Sequence, residues 1–240
     1  NMTACEGNDL KRWLLGHASS GHSRLRGLRA RTEDLIRADE RARISLEKIT
    51  RAARVLPDSG WQKRLEEGRP IGEMEFFLSF VRKQVFARTN SNNTNYSLES
   101  GTEILTESLV DAAINLETSL VELRIPLFSL MQSLIHILDA ESDSLDTPAR
   151  NRIDAVVRSI QRRGIDQIIS WEAMLRALQS QKSDLFVDWF SVERHEGRVL
   201  DVGMHRHHID PTIPFSKKVL SLAHGVLITS ATLKDKKNDE

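Results

Sequence analysis

Nine apolar residues in the middle of the chain, Leu109, Ala113, Leu116, Leu120, Leu123, Leu127, Leu130, Leu134 and Ile137, recur at alternating spacings of four and three. In a strand this series would split between two faces. A helix turns once in about 3.6 residues and puts all nine on one stripe, so the spacing predicts a single helix over residues 106–138. Pro126 lies inside it, where it removes one amide donor and is expected to bend the helix. An acidic turn at 139–146 follows, and Asp146 or Thr147 then caps a second helix with Pro148 in its first turn. Its stripe is Ile153, Val157, Ile160, Ile168, Trp171, Leu175 and Leu178, with Gly164 as a weak point or register shift. Two such seams joined by a short loop predict an antiparallel helical hairpin about 45 to 50 Å long at 1.5 Å per residue. An intermolecular coiled coil is the other way to bury a leucine seam; the second seam close by favours the hairpin.

The segment before the hairpin reads as helical too. Leu25, Leu28, Leu35 and Ile36, then Ile44, Ile49, Ala52, Ala53 and Val55, give helical stripes. Pro57, Asp58, Ser59 and Gly60 form a turn signal. A short helix over 61–67 should end at Gly68, and another over about 72–87 carries Met74, Phe77, Leu78, Val81 and Val85. Residues 89–95 are polar and rich in asparagine, as in a mobile loop. With 240 residues the chain can bury a substantial core, in one large domain or two small ones. No apolar run is long enough to span a bilayer and no charged-then-apolar signal opens the chain, so no membrane partner and a cytoplasmic location are expected. The single cysteine, Cys5, excludes an internal disulfide; it lies near an end expected to fray, with no evident activator.

Net charge is zero but unevenly spread. Residues 10–54 hold twelve basic side chains against five acidic, and residues 96–147 hold ten acidic against Arg124 alone. The basic segment either lines a path for nucleic-acid phosphates or lies against acidic helices and solvent, with arginines paired to glutamates four residues away. Arg24, Arg26, Arg29 and Arg31 are the best DNA-binding candidates, because they start in a Ser-Ser-Gly-His loop and meet no acid until Glu33.

Past residue 182 the chemistry changes. Residues 186–193 and 198–206 alternate and contain valine, phenylalanine and tryptophan, with His195, Glu196 and Gly197 between them, so they read as a hairpin of strands. Pro214 can open a helix through Leu222, and Val226 to Ile228 would form a buried strand delivering Thr229 and Ser230 at its end. The run Gly225-Val226-Leu227-Ile228-Thr229-Ser230-Ala231-Thr232-Leu233 resembles helicase motif III. Upstream, Asp184-Leu185-Phe186-Val187-Asp188-Trp189-Phe190-Ser191-Val192-Glu193-Arg194 extends the likeness, as does Gly197-Arg198-Val199-Leu200-Asp201-Val202-Gly203-Met204-His205-Arg206-His207. With Asp210-Pro211-Thr212 and Pro214-Phe215 these stretches are similar to bacterial DinG-type helicases, relatives of XPD within the superfamily 2 ATP-dependent DNA helicases. At residue 208 a histidine stands where that family tends to have tryptophan.

The resemblance implies a fold and a role. The chain would be mainly α, a long antiparallel helical hairpin with accessory helices like the family's arch (residues 1–180), followed by a small, incomplete α/β remnant of the first RecA-like motor domain (residues 181–240). The arch helps form an opening for single-stranded DNA, and Thr229, Ser230, Ala231 and Thr232 would couple nucleotide state to movement. Partners would be single-stranded DNA and the remaining helicase domains, and the uncovered C-terminal strand invites self-association. ATP and magnesium belong to the parent helicase. This chain has no Gly-x-x-x-x-Gly-Lys-Ser/Thr run, and its Asp39-Glu40 pair lies in a helical pattern rather than in an Asp-Glu-x-His box, so no catalytic set is complete and no cofactor is expected here. One cysteine cannot supply the iron–sulfur cluster of many XPD relatives.

Two other readings remain open. A truncated or separately encoded helical module could bind proteins and have no motor. A metal site could form from His205 and His207, which share a face on a strand, with Asp201 or Asp210 adding an oxygen; hydrogen-bonded histidines are the plainer reading.

Overall fold

A computed structural model describes residues 1–16, 26–89, 96–140, 145–180, 183–227 and 229. The leucine seam forms α6 (Glu107–Ala140), one helix that runs through Pro126. Its members from Leu109 to Leu134 expose no surface, and Ile137 is half-buried at the end. Each fully buried leucine contributes about 2 kcal/mol by transfer from water, which is why this stripe and not local propensity decides the helix.

The second seam folds back along α6. Asp146 caps α7 (Thr147–Ser159) by accepting from the Ala149 amide, with Pro148 in the first turn. A π-helical segment, Ile160–Ile165, then leads into α8 (Asp166–Leu178). The register shift expected at Gly164 is therefore real and takes the form of a π turn. It keeps Ile153, Val156 and Ile160 on the same buried side as Ile165, Ile168, Trp171 and Leu175. The pairing is antiparallel, because Glu117 meets Arg176, Arg124 meets Glu172, and Leu127 lies against Gly164.

The hairpin does not stand alone. α3 (Glu40–Ala52), capped by Asp39, and α5 (Gly72–Arg88) also pack on α6, and α4 (Trp61–Glu66) joins α5. Gly60 at φ 81° and Gly68 at φ 70° bound α4, as the turn signals imply. By length and composition α6 could cross a membrane, contrary to the sequence expectation, but its seam is occupied by these helices.

The N-terminus is not frayed. β1 (Met2–Thr3) pairs with β4 (Arg198–His208), Met2 is fully buried, and Trp171 Nε1 donates to the Asn1 carbonyl at 2.7 Å. Thr3 then caps α1 (Ala4–Leu15). Neither element is visible in the sequence pattern, because two residues carry no period and α1 mixes Gly7, Asn8 and Asp9 with its apolar positions. The sheet is antiparallel in the order β1-β4-β3-β2, with β3 (Phe186–His195) and β2 (Leu98–Gly101). Glu196 at φ 49° and Gly197 at φ 78° turn the β3–β4 hairpin in the left-handed region that matches strand twist. Phe190, Val192, Val202 and Met204 are buried, and Phe190 meets Phe77 of α5 edge-on. Gly203 faces Thr3, and a Cβ there would lie 2.6 Å from Thr3 Cγ2, so only glycine lets β1 approach.

By compactness the chain divides into Asn1–Ser183 with Asp188–Arg206, and Asp184–Val187 with His207–Glu240. The second unit contains α9 (Thr212–Lys218) and a 3₁₀ turn, Leu220–Leu222, in place of one helix through Leu222. Over its described residues the expected buried strand is not formed, and Ile228 lies outside them. Val226 is 50% exposed, Leu227 is 89% exposed, and neither is in a strand. A strand is stable only beside partners for its amides and a cover for its apolar face, and the described residues of this unit supply neither.

Candidate nucleic-acid interface

Gly27 opens the basic surface. A Cβ at this position would lie 2.3 to 2.8 Å from the backbone of Leu15 and Gly16, so the glycine lets the chain cross the end of α1. It leads into α2 (Leu28–Thr32), whose Leu28 and Thr32 are buried, the Thr32 hydroxyl donating to the Leu28 carbonyl at 3.0 Å. Burying these two leaves Arg29 and Arg31 outward, and Arg31 Nε donates to the Arg26 carbonyl. From α7, with Ile153 and Val156 buried, Arg152 reaches Asp34 at 2.5 and 2.7 Å and donates to the Arg31 carbonyl at 2.8 Å. This bidentate contact holds the Asp34 carboxyl below its ordinary pKa.

Arg26, Arg31, Arg37 and Arg152 line one cavity of about 380 Å³ together with Glu33 and Asp34. Four cations against two carboxylates leave an excess of two positive charges. Arg152 is engaged by Asp34, and Glu33 lies 3.8 Å from Arg29. Among the described residues, Arg26, Arg31 and Arg37 form no ion pair. Such a cavity suits an anionic group that takes several charge-assisted hydrogen bonds at once.

Of the four arginines singled out by sequence, Arg26 and Arg31 are brought together here. Arg29 lies on another cavity with Arg37 and Arg43, and Arg24 lies outside the described residues. Arg37 belongs to the same basic run and could have been included. Arg152 had no signal, since it sits 121 residues from the Arg31 carbonyl it binds.

The other sequence candidates do not converge. Thr229 is exposed, and Ser230, Ala231 and Thr232 lie outside the described residues. His205 is buried, its Nε2 lying 2.7 Å from Ser191 Oγ and its ring stacked on Trp189, whereas His207 is exposed. Asp201 accepts from the Cys5 and Val202 amides, and Asp210 from Thr212. No cluster of three or more metal-type side chains occurs among the described residues. The Cys5 thiol is pushed up to about 12, first by burial and then by Asp201, which makes it a poor nucleophile. No protein-family model, curated protein or solved structure matches the chain.

Proposed function

We propose that this chain is the arch-like helical region, with the closing strands of the first RecA-like motor domain, of a DinG/XPD-type ATP-dependent DNA helicase acting in the cytoplasm, and that its arginine cavity contacts the phosphates of single-stranded DNA. One observation carries the DNA contact: arginines from α2, from the segment after it and from α7 meet at one cavity with only two carboxylates between them. The resemblance of residues 184–233 to the helicase family carries the rest. The residues present do not fit a nucleotide site, since the chain lacks a phosphate-binding loop and Thr229 is exposed, so in this reading ATP and magnesium bind elsewhere in the parent enzyme. The same reading gives Leu222, Val226 and Leu227, all half or more exposed, a purpose as faces for the remaining motor strands.

The test is single-strand binding across a salt series, comparing the chain with an Arg26→Ala, Arg31→Ala, Arg37→Ala triple variant. Each phosphate contact adds about 0.7 to the salt slope for a single strand, so losing three should flatten it by about 2. An unchanged slope overturns the assignment of these arginines.

A second reading, a helical protein-interaction module, is favoured by Ile114, Ile125 and Phe128, which lie exposed on the side of α6 away from its seam. It requires that Ile125→Glu break a protein complex while leaving DNA binding intact.

A further inference from the structure

Opposite its buried leucine seam, α6 carries a second series at the same alternating spacing of four and three: Ile114, Thr118, Val121, Ile125 and Phe128. At about 100° and 1.5 Å per residue these five share one stripe about 21 Å long. Ile114, Ile125 and Phe128 are 42%, 60% and 49% exposed, so the described residues leave the stripe uncovered. Thr118 does not break it. Its hydroxyl donates to the Ile114 carbonyl at 3.0 Å, so the position can be covered without orphaning a donor. Beside Thr118 a groove of about 490 Å³, with Pro70, Phe76 and Ala112 in its lining, opens between α6 and the start of α5. Apolar residues scattered singly on a surface are ordinary, but a run at seam spacing is what a second helix packs against.

Charge selects the partner. By the same winding Asp111 and Glu122 flank the stripe on one side and Glu117 on the other, and Glu73 lines the groove. Arg176 holds Glu117, but Asp111, Glu122 and Glu73 form no ion pair among the described residues. Arg124, the one lysine or arginine of α6, is held by Glu172. We infer that this face receives a basic amphipathic helix of another protein, its apolar residues spaced by four and three and its lysines or arginines alongside them. The inference rests on the protein-interaction reading above and gives that partner its chemistry. A second copy of the chain is the poorer occupant. Packed antiparallel about Val121, the midpoint of the stripe, two copies would set Glu122 beside Glu122; packed parallel, they would set Glu117 beside Glu122. Both arrangements bring like charges together, whereas a basic helix meets the free carboxylates with opposite charge.

The experiment titrates the full chain at low salt with two labelled, stapled helical peptides about three heptads long, both with leucine at the seam positions, one flanked by lysine and the other by glutamate. An Ile125→Asn, Phe128→Asn double variant reports which binding belongs to this face, since both positions are exposed and neither change alters charge. The basic peptide should bind the chain and lose that binding in the double variant. The acidic peptide should bind this face at least about tenfold more weakly, and the gap should narrow as salt screens the charges. Asp111→Asn with Glu122→Gln should weaken the basic peptide alone. Equal binding of both peptides at this face overturns the basic partner and leaves the interaction reading standing. A concentration-dependent dimer in sedimentation, broken by the double variant, overturns it in favour of a second copy. Peptide binding that the double variant leaves unchanged, or no binding at all, overturns the docking of a basic helix; the interaction reading falls with it only if Ile125→Glu also leaves the protein complex intact.

Discussion

Arg64 grips the fully buried carboxylate of Glu75 with two hydrogen bonds, Nε to Oε2 at 2.9 Å and Nη2 to Oε1 at 2.5 Å. Glu75 also accepts from the Asp58 and Ile71 amides, and Arg64 donates to the Asp58 and Ser59 carbonyls. One ion pair therefore ties α4, α5 and the turn before α4 into a unit. Arg64→Met should destabilise the chain by about 3 to 5 kcal/mol, because it leaves a carboxylate buried without its cation. Chemical denaturation gives the number, and a loss below about 1 kcal/mol would mean that water reaches Glu75.

Gly203→Val should detach β1. The new side chain collides with Thr3 and with the Met2 carbonyl, so the strand must move, and Met2 loses its buried place. The expected cost is about 1 to 3 kcal/mol. Hydrogen exchange at residues 2–5 should rise by orders of magnitude while exchange in the centre of α6 changes little; uniform protection would refute the tight approach.

Cys5 should react slowly with thiol reagents despite its exposure. Its thiol titrates near 12, so little thiolate exists at pH 8. Asp201→Asn removes part of the cause and should speed the reaction. A wild-type rate equal to that of a free thiol would contradict the raised value.

The Asp34–Arg152 pair should matter above the carboxylate range and fail below it. Asp34 has a folded-state pKa below its ordinary 3.8, so folding is favoured while the group is charged, and that contribution fades as pH falls through the folded value. An Asp34→Asn variant should differ from wild type at neutral pH and converge with it in acid. The pair is half-exposed, so salt should shrink the effect. Divergence that grows on acidification would reverse the sign.

The long elements were legible because their burial is periodic. The spacing from Leu109 to Ile137 gives α6 to within a residue or two, Asp146 and Pro148 give the start of α7, and Gly164 gives the break. Elements defined by a partner were not legible. β1 exists because Gly203 leaves room for it, and β2 because it pairs with residues 189–192 of β3. The stretch at Val226 reads as a buried strand by composition alone, yet strands are made by neighbours. The arginine cavity was half legible: Arg26 and Arg31 sit in a visible basic run, but Arg152 arrives through the fold of the hairpin, and no local pattern announces it.

The aim of Arg152 depends on the π turn at Ile160–Ile165. A helix rotates about 100° with each residue, so winding the same six residues as plain α, with no π turn to absorb the surplus one, would swing α7 round by about that angle relative to α8. Ile153 would leave its buried side, and Arg152 would face away from Asp34. A single surplus residue in the winding thus acts as the gunsight of the hairpin, setting the bearing of a guanidinium two turns further up the rod.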